Sequence, residues 1–327
     1  MSFDALVVVA FGGPEAPAEV MPFLEHVTRG RGVPHERLLE VAGHYRHFGG
    51  KSPINEQCRS LCSLLEDELR AHGNAPRVYW GNRHSSPWLA DTVRRMADAG
   101  VERALAFVPS AYGSYSSCRV YLEAIEAARA EVGARAPLIE KLRLFFDHPL
   151  FVEAQANSVT AALARLPEAR RAAAAVVGTA HSIPLTMAHG SGYAAQLAET
   201  LRLVRARSGC TARWDLAWQS RSGPPSVPWL EPSIEDRLAA LAGEGVRDVV
   251  LLPIGFVLEN LEVTYDLDVQ ATAAARTLGV ETVRAATVGT TPELVRMARL
   301  LVEERSSATP GVLAAGCAPE CCKVQNG

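Results

Sequence analysis

One histidine and two carboxylates in this 327-residue chain have positions that suit proton transfer or metal binding. His181 follows the apolar run 174–179 directly, and Pro184 prevents a helix from starting at once. Glu262 and Asp266 are four residues apart, a spacing that puts both carboxylates on one face of a helix. A neutral imidazole can accept a proton or bind a metal, since its unperturbed pKa is about 6.5. The three side chains therefore indicate acid–base or metal chemistry wherever the fold brings them together.

Each of these residues also has a simpler structural explanation. An acidic row at the start of a helix is stabilised by the helix dipole, and a histidine after a strand commonly makes a structural hydrogen bond. Both segments, however, follow buried strands of the same predicted sheet, so they share its carboxyl edge. Ligands of open α/β sheets bind at that edge, which favours the functional interpretation.

The rest of the sequence alternates short apolar runs with longer amphipathic segments, a pattern typical of α/β proteins. Most of the runs are continuously hydrophobic, as expected for parallel strands that are buried on both faces. Strands are predicted at 5–10, 77–81, 103–108, 174–179, 214–218, 249–254 and 280–284. Helices are predicted at 87–99, 115–132, 149–166, 193–207, 234–243 and 292–304, and between Ser52, as N-cap, and Gly73. The pattern occurs twice, so we predict two similar doubly wound, Rossmann-like domains whose parallel sheets face a common cleft.

The same alternation predicts the domain boundaries. One half covers residues 1–148 and the other 149–305, and the last helix is free to pack back on the first half. The long helical stretch between residues 108 and 174 is the predicted crossover. The tail 306–327 is rich in Gly, Pro and Ala and shows no periodicity.

The composition argues against several classes of protein. Lys and Arg total 33 and Asp and Glu 36, a net charge of −3 that gives no support to nucleic-acid binding. The longest apolar runs fall far short of the roughly 20 residues that a membrane-spanning helix needs. No basic residues precede the short apolar run near the N-terminus, so we expect no secretory signal and a cytoplasmic protein. The seven cysteines are then expected as thiols or metal ligands rather than disulfides.

Several longer motifs resemble those of the ferrochelatase family. They occur in order, with family-like spacing, from residue 3 to about residue 305. The motifs are Phe11-Gly12-Gly13-Pro14, His47-Phe48-Gly49-Gly50-Lys51-Ser52-Pro53-Ile54-Asn55, Thr179-Ala180-His181-Ser182-Ile183-Pro184, Trp218-Gln219-Ser220-Arg221-Ser222-Gly223-Pro224, Val227-Pro228-Trp229-Leu230, and Gly255-Phe256-Val257 with Glu262. Segments 27–32 and 115–118 are similar to those of the high-GC Gram-positive members of the family.

The resemblance implies a chelatase fold and a lyase that inserts Fe²⁺, its substrate, into coproporphyrin III to give coproheme. Two pyrrole protons are released, and a coproheme decarboxylase would act downstream. The alternatives are a protoporphyrin IX ferrochelatase, a non-catalytic tetrapyrrole or iron carrier, and a cobalt or nickel chelatase of the same fold. The sequence has no hydrophobic lip, which favours coproporphyrin and argues against stable membrane insertion. The motif at 218–224 favours iron.

The family pattern places His181 and Glu262 on facing sides of the porphyrin cleft, as catalytic residues and as ligands of the substrate iron. His181 could accept the pyrrole protons or hand over the iron, and we favour the proton role. Asp266 and Glu259 would continue a path for protons or cations. Family members usually have His two residues before Glu262, and Asn260 at that position weakens a proton relay through it.

The resemblance also implies porphyrin contacts. Arg29, Arg31, Arg46 and Ser52 lie in segments that contact the macrocycle in the coproporphyrin enzymes. Arginine pairs with carboxylates such as propionates through two parallel hydrogen bonds, although solvation at the surface explains each arginine equally well. Phe11 stands where some relatives have Tyr, so it can stack on the ring but offers no phenolate to a metal.

Four of the cysteines resemble the cluster ligands of several ferrochelatases, which bind a [2Fe–2S] cluster through one internal and three C-terminal thiolates. The corresponding residues are Cys118, Cys317, Cys321 and Cys322. Adjacent Cys321 and Cys322 would point apart in an extended strand, so a turn is required there. A zinc site and a tail without function are the alternatives. Of the other three cysteines, Cys58 and Cys62 are expected in a helix core, and Cys210 has no assigned role.

Overall fold

Two four-stranded sheets organise the chain in the computed structural model, which describes residues 3–73, 76–224, 226–307 and 322. In chain order the strands β1 to β8 are Ala5–Ala10, Arg77–Asn82, Arg103–Phe107, Leu138–Lys141, Ala175–His181, Arg213–Gln219, Asp248–Leu252 and Glu281–Arg284. All neighbouring strands are parallel, in the orders β2-β1-β3-β4 and β6-β5-β7-β8. The second sheet therefore repeats the topology of the first. This repetition confirms the predicted α/β fold with two doubly wound halves.

Helices surround both sheets and match the amphipathic segments of the sequence. The α-helices α1 to α13 are Val20–Val27, His35–His47, Ile54–Ala71, Leu89–Asp98, Val120–Val132, Pro149–Ala164, Glu168–Arg171, Leu185–His189, Tyr193–Ser208, Ile234–Gly243, Leu261–Val263, Thr272–Thr277 and Pro292–Ser307. Two π-helical segments, Tyr115–Arg119 and Thr264–Ala271, lead directly into α5 and α12. Within the described ranges, no helix has both the length and the apolar character needed to cross a bilayer.

Two local predictions are wrong. The stretch between residues 108 and 174 is not wholly helical, because β4 (Leu138–Lys141) lies within it. This strand has four residues at the edge of the sheet and is only partly buried, so it lacks the continuous apolar run of the other strands. Ser52 does not cap α3, which starts at Ile54 after Pro53 without a side-chain cap.

The two halves share one hydrophobic core and meet at their strand ends. A single cluster of buried side chains includes Leu6 and Phe107 from the first sheet and Val250 from the second. The Tyr112 hydroxyl, after β3, donates a 2.9 Å hydrogen bond to the carbonyl of Ile254, after β7. Burying a large apolar side chain contributes about 2 kcal/mol, so separating the halves would expose much of this core. The carboxyl edges of the two sheets are thereby held close together.

Helix α13 packs back on the first half of the chain. Arg299 of α13, only 8% exposed, donates hydrogen bonds of 2.8 Å to Glu68 of α3 and 2.6 Å to Glu303. Near the end of the helix, Arg305 pairs with Glu140 of β4. The C-terminal helix is therefore fixed to the first sheet by ion pairs as well as by apolar packing.

Candidate active site

His181 is the last residue of β5, at the carboxyl edge of the second sheet. The rest of the strand is buried, whereas the His181 side chain is half-buried. Its Nδ1 is hydrogen-bonded to the carbonyl oxygen of Ser182, and the Tyr193 hydroxyl donates a 3.0 Å hydrogen bond to the His181 carbonyl. A carbonyl only accepts, so Nδ1 carries the hydrogen and Nε2 keeps its lone pair. The Nε2 atom of His181 is therefore the ring nitrogen that can accept a proton or bind a metal at the strand end.

Glu262 and Asp266 lie on the helical segment that follows β7, as predicted, but the helix differs from the expected form. Asn260 caps α11, because its Oδ1 accepts a 2.9 Å hydrogen bond from the Val263 N–H. The chain then becomes π-helical over Thr264–Ala271. Segments of this kind occur as wide turns inside α-helices, frequently at functional sites. Asp266 lies within this π-helix, and Glu262 lies in α11, two residues before it.

Asp266 joins this helix to the end of β6. The Ser220 hydroxyl and the Gln219 amide both donate to Asp266 Oδ2, the amide at 3.3 Å. Burial raises the pKa of Asp266, and the charge of Glu262 adds to the effect; the two hydrogen bonds and His181 oppose it. The carboxylates and the imidazole are therefore electrostatically coupled, so the structure brings together the three residues that the sequence singled out.

Ser220 has a backbone conformation that is rare for a residue other than glycine. Its φ is 61°, in the left-handed region. Such conformations are strained by about 1–3 kcal/mol and cluster at functional sites. Here the conformation accompanies the hydrogen bond from the Ser220 hydroxyl to Asp266. The sequence motif at 218–224 contained Ser220, but not the information that it contacts Asp266.

A mainly apolar cavity lies beside the carboxylates, between α1, α2 and the π-helix. Its polar groups are Glu262, Asp266 and His44 and the hydroxyls of two tyrosines; His181 lies outside the lining. The lining residues are Phe11, Phe23, Leu24, Val27, Val41, His44, Tyr45, Leu261, Glu262, Tyr265 and Asp266. An apolar lining with a few polar groups is typical of ligand-binding surfaces, and here the carboxylates border such a lining.

Two aromatic lining residues and His44 were not predicted from the sequence. Tyr45 is buried, and burial raises its pKa above the ordinary range. The helical spacing of Leu38, Ala42 and Tyr45 on α2 could have identified this apolar face. No local pattern could have paired α2 with Tyr265, since the two lie in different halves of the chain.

The predicted path residue Glu259 is tied into a structural ion pair. Its carboxylate lies 2.9 Å from Arg284 and accepts hydrogen bonds from Thr287 at 3.2 Å and Thr264 at 3.3 Å. Arg284 also pairs with Asp268 at 2.6 Å. These contacts hold the Glu259 carboxylate in a structural network.

The predicted porphyrin contacts are divided between the cavity and the surface. Phe11 lines the cavity. Arg29, Arg31 and Arg46 are exposed, and Arg46 donates a 3.4 Å hydrogen bond to a carbonyl of its own helix. Ser52 is only 3% exposed, packed against Gly13, so its hydroxyl does not face solvent here.

The cysteines fall into distinct environments. Cys118, at the first π-helical segment, and Cys322 are 2% and 8% exposed. Cys322 has a φ of 56°, the turn expected beside Cys321. Cys317 and Cys321 lie outside the described residues, and among the described residues no group of three or more His, Cys, Asp or Glu is arranged to hold a metal.

The two cysteines of α3 pack as expected for a helix core. Cys58 is fully buried and Cys62 is half-buried. Burial raises the pKa of both thiols, that of Cys62 to about 12. Protonated thiols of this kind behave as small hydrophobic side chains.

The repeated parallel sheets form the two-domain α/β fold of the chelatases. SirB from Bacillus subtilis, solved with Fe³⁺, has the same fold, with a TM-score of 0.58 over 94% of this chain and 96% of that one. The two sequences are only 10% identical, so this likeness concerns the fold alone.

Sequence comparison identifies the family. The family model described as ferrochelatase matches residues 3–306. The coproporphyrin III ferrochelatase of Nocardia farcinica is 49% identical, covering 99% of this chain and 98% of its own length. That of Mycolicibacterium smegmatis is 50% identical, covering 95% and 92%. The chain belongs to the ferrochelatase family.

Proposed function

We propose that this protein inserts Fe²⁺ into coproporphyrin III to give coproheme. The observation that carries the proposal is that Asp266, beside an apolar cavity, is electrostatically coupled both to Glu262 and to His181, whose Nδ1 is engaged by a backbone carbonyl. In the reaction two pyrrole N–H bonds break and two protons leave as one Fe²⁺ enters. Four iron–nitrogen bonds form, two from the deprotonated nitrogens and two from the lone pairs of the other two ring nitrogens. The charge balances, so neither an oxidant nor a reductant is needed.

The first requirement of metalation is a proton acceptor near the ring centre. His181 Nε2 is suited to this role, because the hydrogen bond at Nδ1 fixes the tautomer. Glu262 is exposed on the cavity side, where it can bind the incoming iron weakly together with the imidazole. Weak binding matters, since a tightly held metal would not transfer to the porphyrin.

Asp266 is the next group along the proposed proton path. Its raised pKa favours transient protonation at a moderately acid pH. Asn260, which caps α11 where relatives usually have His, cannot titrate. We therefore route protons from His181 through Asp266, and not through position 260 or the ion-paired Glu259.

The substrate proposal rests on the relatives named coproporphyrin III ferrochelatases and on the exposed Arg29, Arg31 and Arg46. Four propionates on the macrocycle need such basic partners, whereas protoporphyrin IX carries two. Anaerobic Fe²⁺ insertion by the wild-type protein, with each porphyrin in turn, tests the choice. We expect a kcat/KM at least about tenfold higher for coproporphyrin III. A preference for protoporphyrin IX would favour the alternative substrate, and porphyrin binding without metalation would indicate a carrier.

We also propose that Cys118, Cys317, Cys321 and Cys322 bind a [2Fe–2S] cluster. The low exposure of Cys118 and Cys322 and the turn at Cys322 support the proposal, since adjacent cysteines in an extended strand would point apart. The cluster would fix the C-terminal tail to the first π-helical segment. Purified protein should then contain iron and sulfide and absorb visible light. Cys322→Ser should lose both properties and Cys210→Ser should keep them, whereas colourless, iron-free wild-type protein would contradict the proposal.

The cellular location of the enzyme and its downstream partner are part of the same proposal. We place the protein in the reducing cytoplasm, where cysteines outside a cluster, such as Cys58, Cys62 and Cys210, persist as thiols. A coproheme decarboxylase that consumes the product is the proposed downstream partner.

A further inference from the structure

Two histidines of α2 hold the tyrosine that lies between the candidate catalytic carboxylates. The rings of His44 and Tyr265 are stacked, with centroids 3.7 Å apart and planes 12° from parallel. His47, one turn further along α2, meets the Tyr265 ring edge-on at 6.4 Å and 82°. Tyr265 follows Glu262 and precedes Asp266 on the helical segment. Helix α2 of the first half therefore directly contacts the segment that carries the carboxylates of the second half.

The contact with His44 is closer than most aromatic pairs, whose centroids lie about 4.5–7 Å apart. Within the described residues, neither ring nitrogen of His44 makes a hydrogen bond, so packing and the stack orient the ring. Burial and Arg37 lower the pKa of His44, while Asp266 and Glu40 oppose the shift. The net lowering favours the neutral imidazole, which stacks on a phenol ring without burying a charge.

The position of Glu262 is not fixed by contacts of its own side chain within the described residues. In the described part of the chain its side chain has no hydrogen bond or ion pair, and it is exposed, so its location depends on the backbone that carries it. That backbone consists of the three-residue α11 and the start of the π-helix. Asp266, in contrast, is held by Ser220 and Gln219. Leu261, just before Glu262, packs on apolar side chains of α1 and α2, and the stack on Tyr265 adds an aromatic contact with α2 on the other side of Glu262.

We propose that His44 is a positioning residue for iron insertion, and that it acts through its aromatic contact with Tyr265. The stack fixes the π-helix against α2, so that Glu262 and Asp266 face the cavity. This inference rests on the proposed function. His44 then acts through the contact of its ring and not by carrying a proton. The two roles respond differently to substitution.

The test compares variants that keep or remove the ring. Anaerobic Fe²⁺ insertion should show a kcat about tenfold lower for His44→Ala and His44→Leu, with the porphyrin KM within about twofold of wild type. His44→Phe keeps the ring and should recover at least about half of the wild-type kcat, with an unchanged pH profile. His35→Ala, an exposed substitution on the same helix, is the control and should leave the rate unchanged.

A double-mutant cycle provides a second readout that needs no catalysis. His44→Ala and Tyr265→Ala should shift the urea midpoint of unfolding by less in combination than the sum of the single shifts. If the alanine variants fail to fold, His44→Leu and His44→Phe are compared instead. A His44→Phe variant as slow as His44→Leu would overturn the inference in favour of proton transfer. Additive shifts, or full activity of His44→Leu, would also overturn it. A wild-type protein without iron insertion would instead contradict the proposed function, and the cycle would still test the stack.

Discussion

The hydroxyl of Ser220 donates a hydrogen bond to the carboxylate of Asp266, and this bond joins the end of β6 to the π-helix. Ser220 adopts a left-handed backbone conformation at the same point. His181 ends the neighbouring strand β5, so one sheet edge presents the proposed base and also holds the carboxylate next to it. Stored strain at such a position is consistent with a site kept ready for a reaction.

Removing the Ser220 hydroxyl should change the pH dependence of the reaction. The hydrogen bond lowers the pKa of Asp266 against the effect of burial, so Ser220→Ala should raise that pKa further. The limb of the kcat–pH profile that reports this carboxylate should move to higher pH. Ser222→Ala, an exposed change in the same loop, is the matched control. Identical profiles for Ser220→Ala and wild type would show that Asp266 does not govern the rate.

Asp266 should lower the stability of the folded protein at neutral pH while it supports iron insertion. Because its pKa is raised in the folded protein, the folded state binds the proton more tightly than the unfolded chain does. Stability is therefore lost as the pH rises from about 4 through the raised pKa. Asp266→Asn lacks this loss and should have a higher free energy of unfolding than wild type at pH 7, while its iron insertion slows. Urea unfolding at pH 4 and pH 7 checks this, and a variant less stable than wild type at pH 7 would contradict it.

The ion pair that fixes α13 should contribute more to the free energy of unfolding than an exposed ion pair does. Arg299→Ala leaves Glu68 without its partner in a largely buried position and should cost about 2–3 kcal/mol of unfolding free energy. Arg202→Ala breaks an exposed pair with Glu199 and should lower the unfolding free energy far less. Chemical denaturation of both variants gives the comparison. Equal losses would mean that Arg299 does not anchor the helix.

Glu259 should behave as a structural residue. Glu259→Gln weakens its pairing with Arg284 and should lower the unfolding free energy by about 1–2 kcal/mol. The rate of iron insertion per folded molecule should stay within about twofold of wild type. Circular dichroism and the metalation assay, on the same preparation, separate the two effects. A large loss of rate without a loss of stability would restore Glu259 to the proton path.

The sequence predicted the fold well where hydrophobic pattern and structure coincide. Buried strands such as Ala5–Ala10 are continuous apolar runs, and their boundaries agree within one or two residues. β4 was missed because an edge strand has no such run. The π-helix was missed because carboxylates four residues apart fit an α-helix as well. The spacing of apolar residues indicates which face of a helix is buried, but it does not distinguish an α-helix from a π-helix.

The sequence identified the reactive side chains of the site but not the contacts between distant residues. His181 and the two carboxylates stood out because their types and places after strands suit proton and metal chemistry. The contact of Ser220 with Asp266 and the stack of His44 on Tyr265 join distant parts of the chain. No local rule connects such residues, so only the folded structure reveals them.

The role of His181 is tested most directly by the initial rate of anaerobic Fe²⁺ insertion into coproporphyrin III. Wild type is compared with His181→Ala and with His189→Ala, an exposed histidine at the end of α8. We predict that His181→Ala still binds the porphyrin, with a kcat at least about 100-fold lower, because a positioned base contributes that much. His189→Ala should keep the wild-type rate. A His181→Ala protein that inserts iron at the wild-type rate would contradict the central claim.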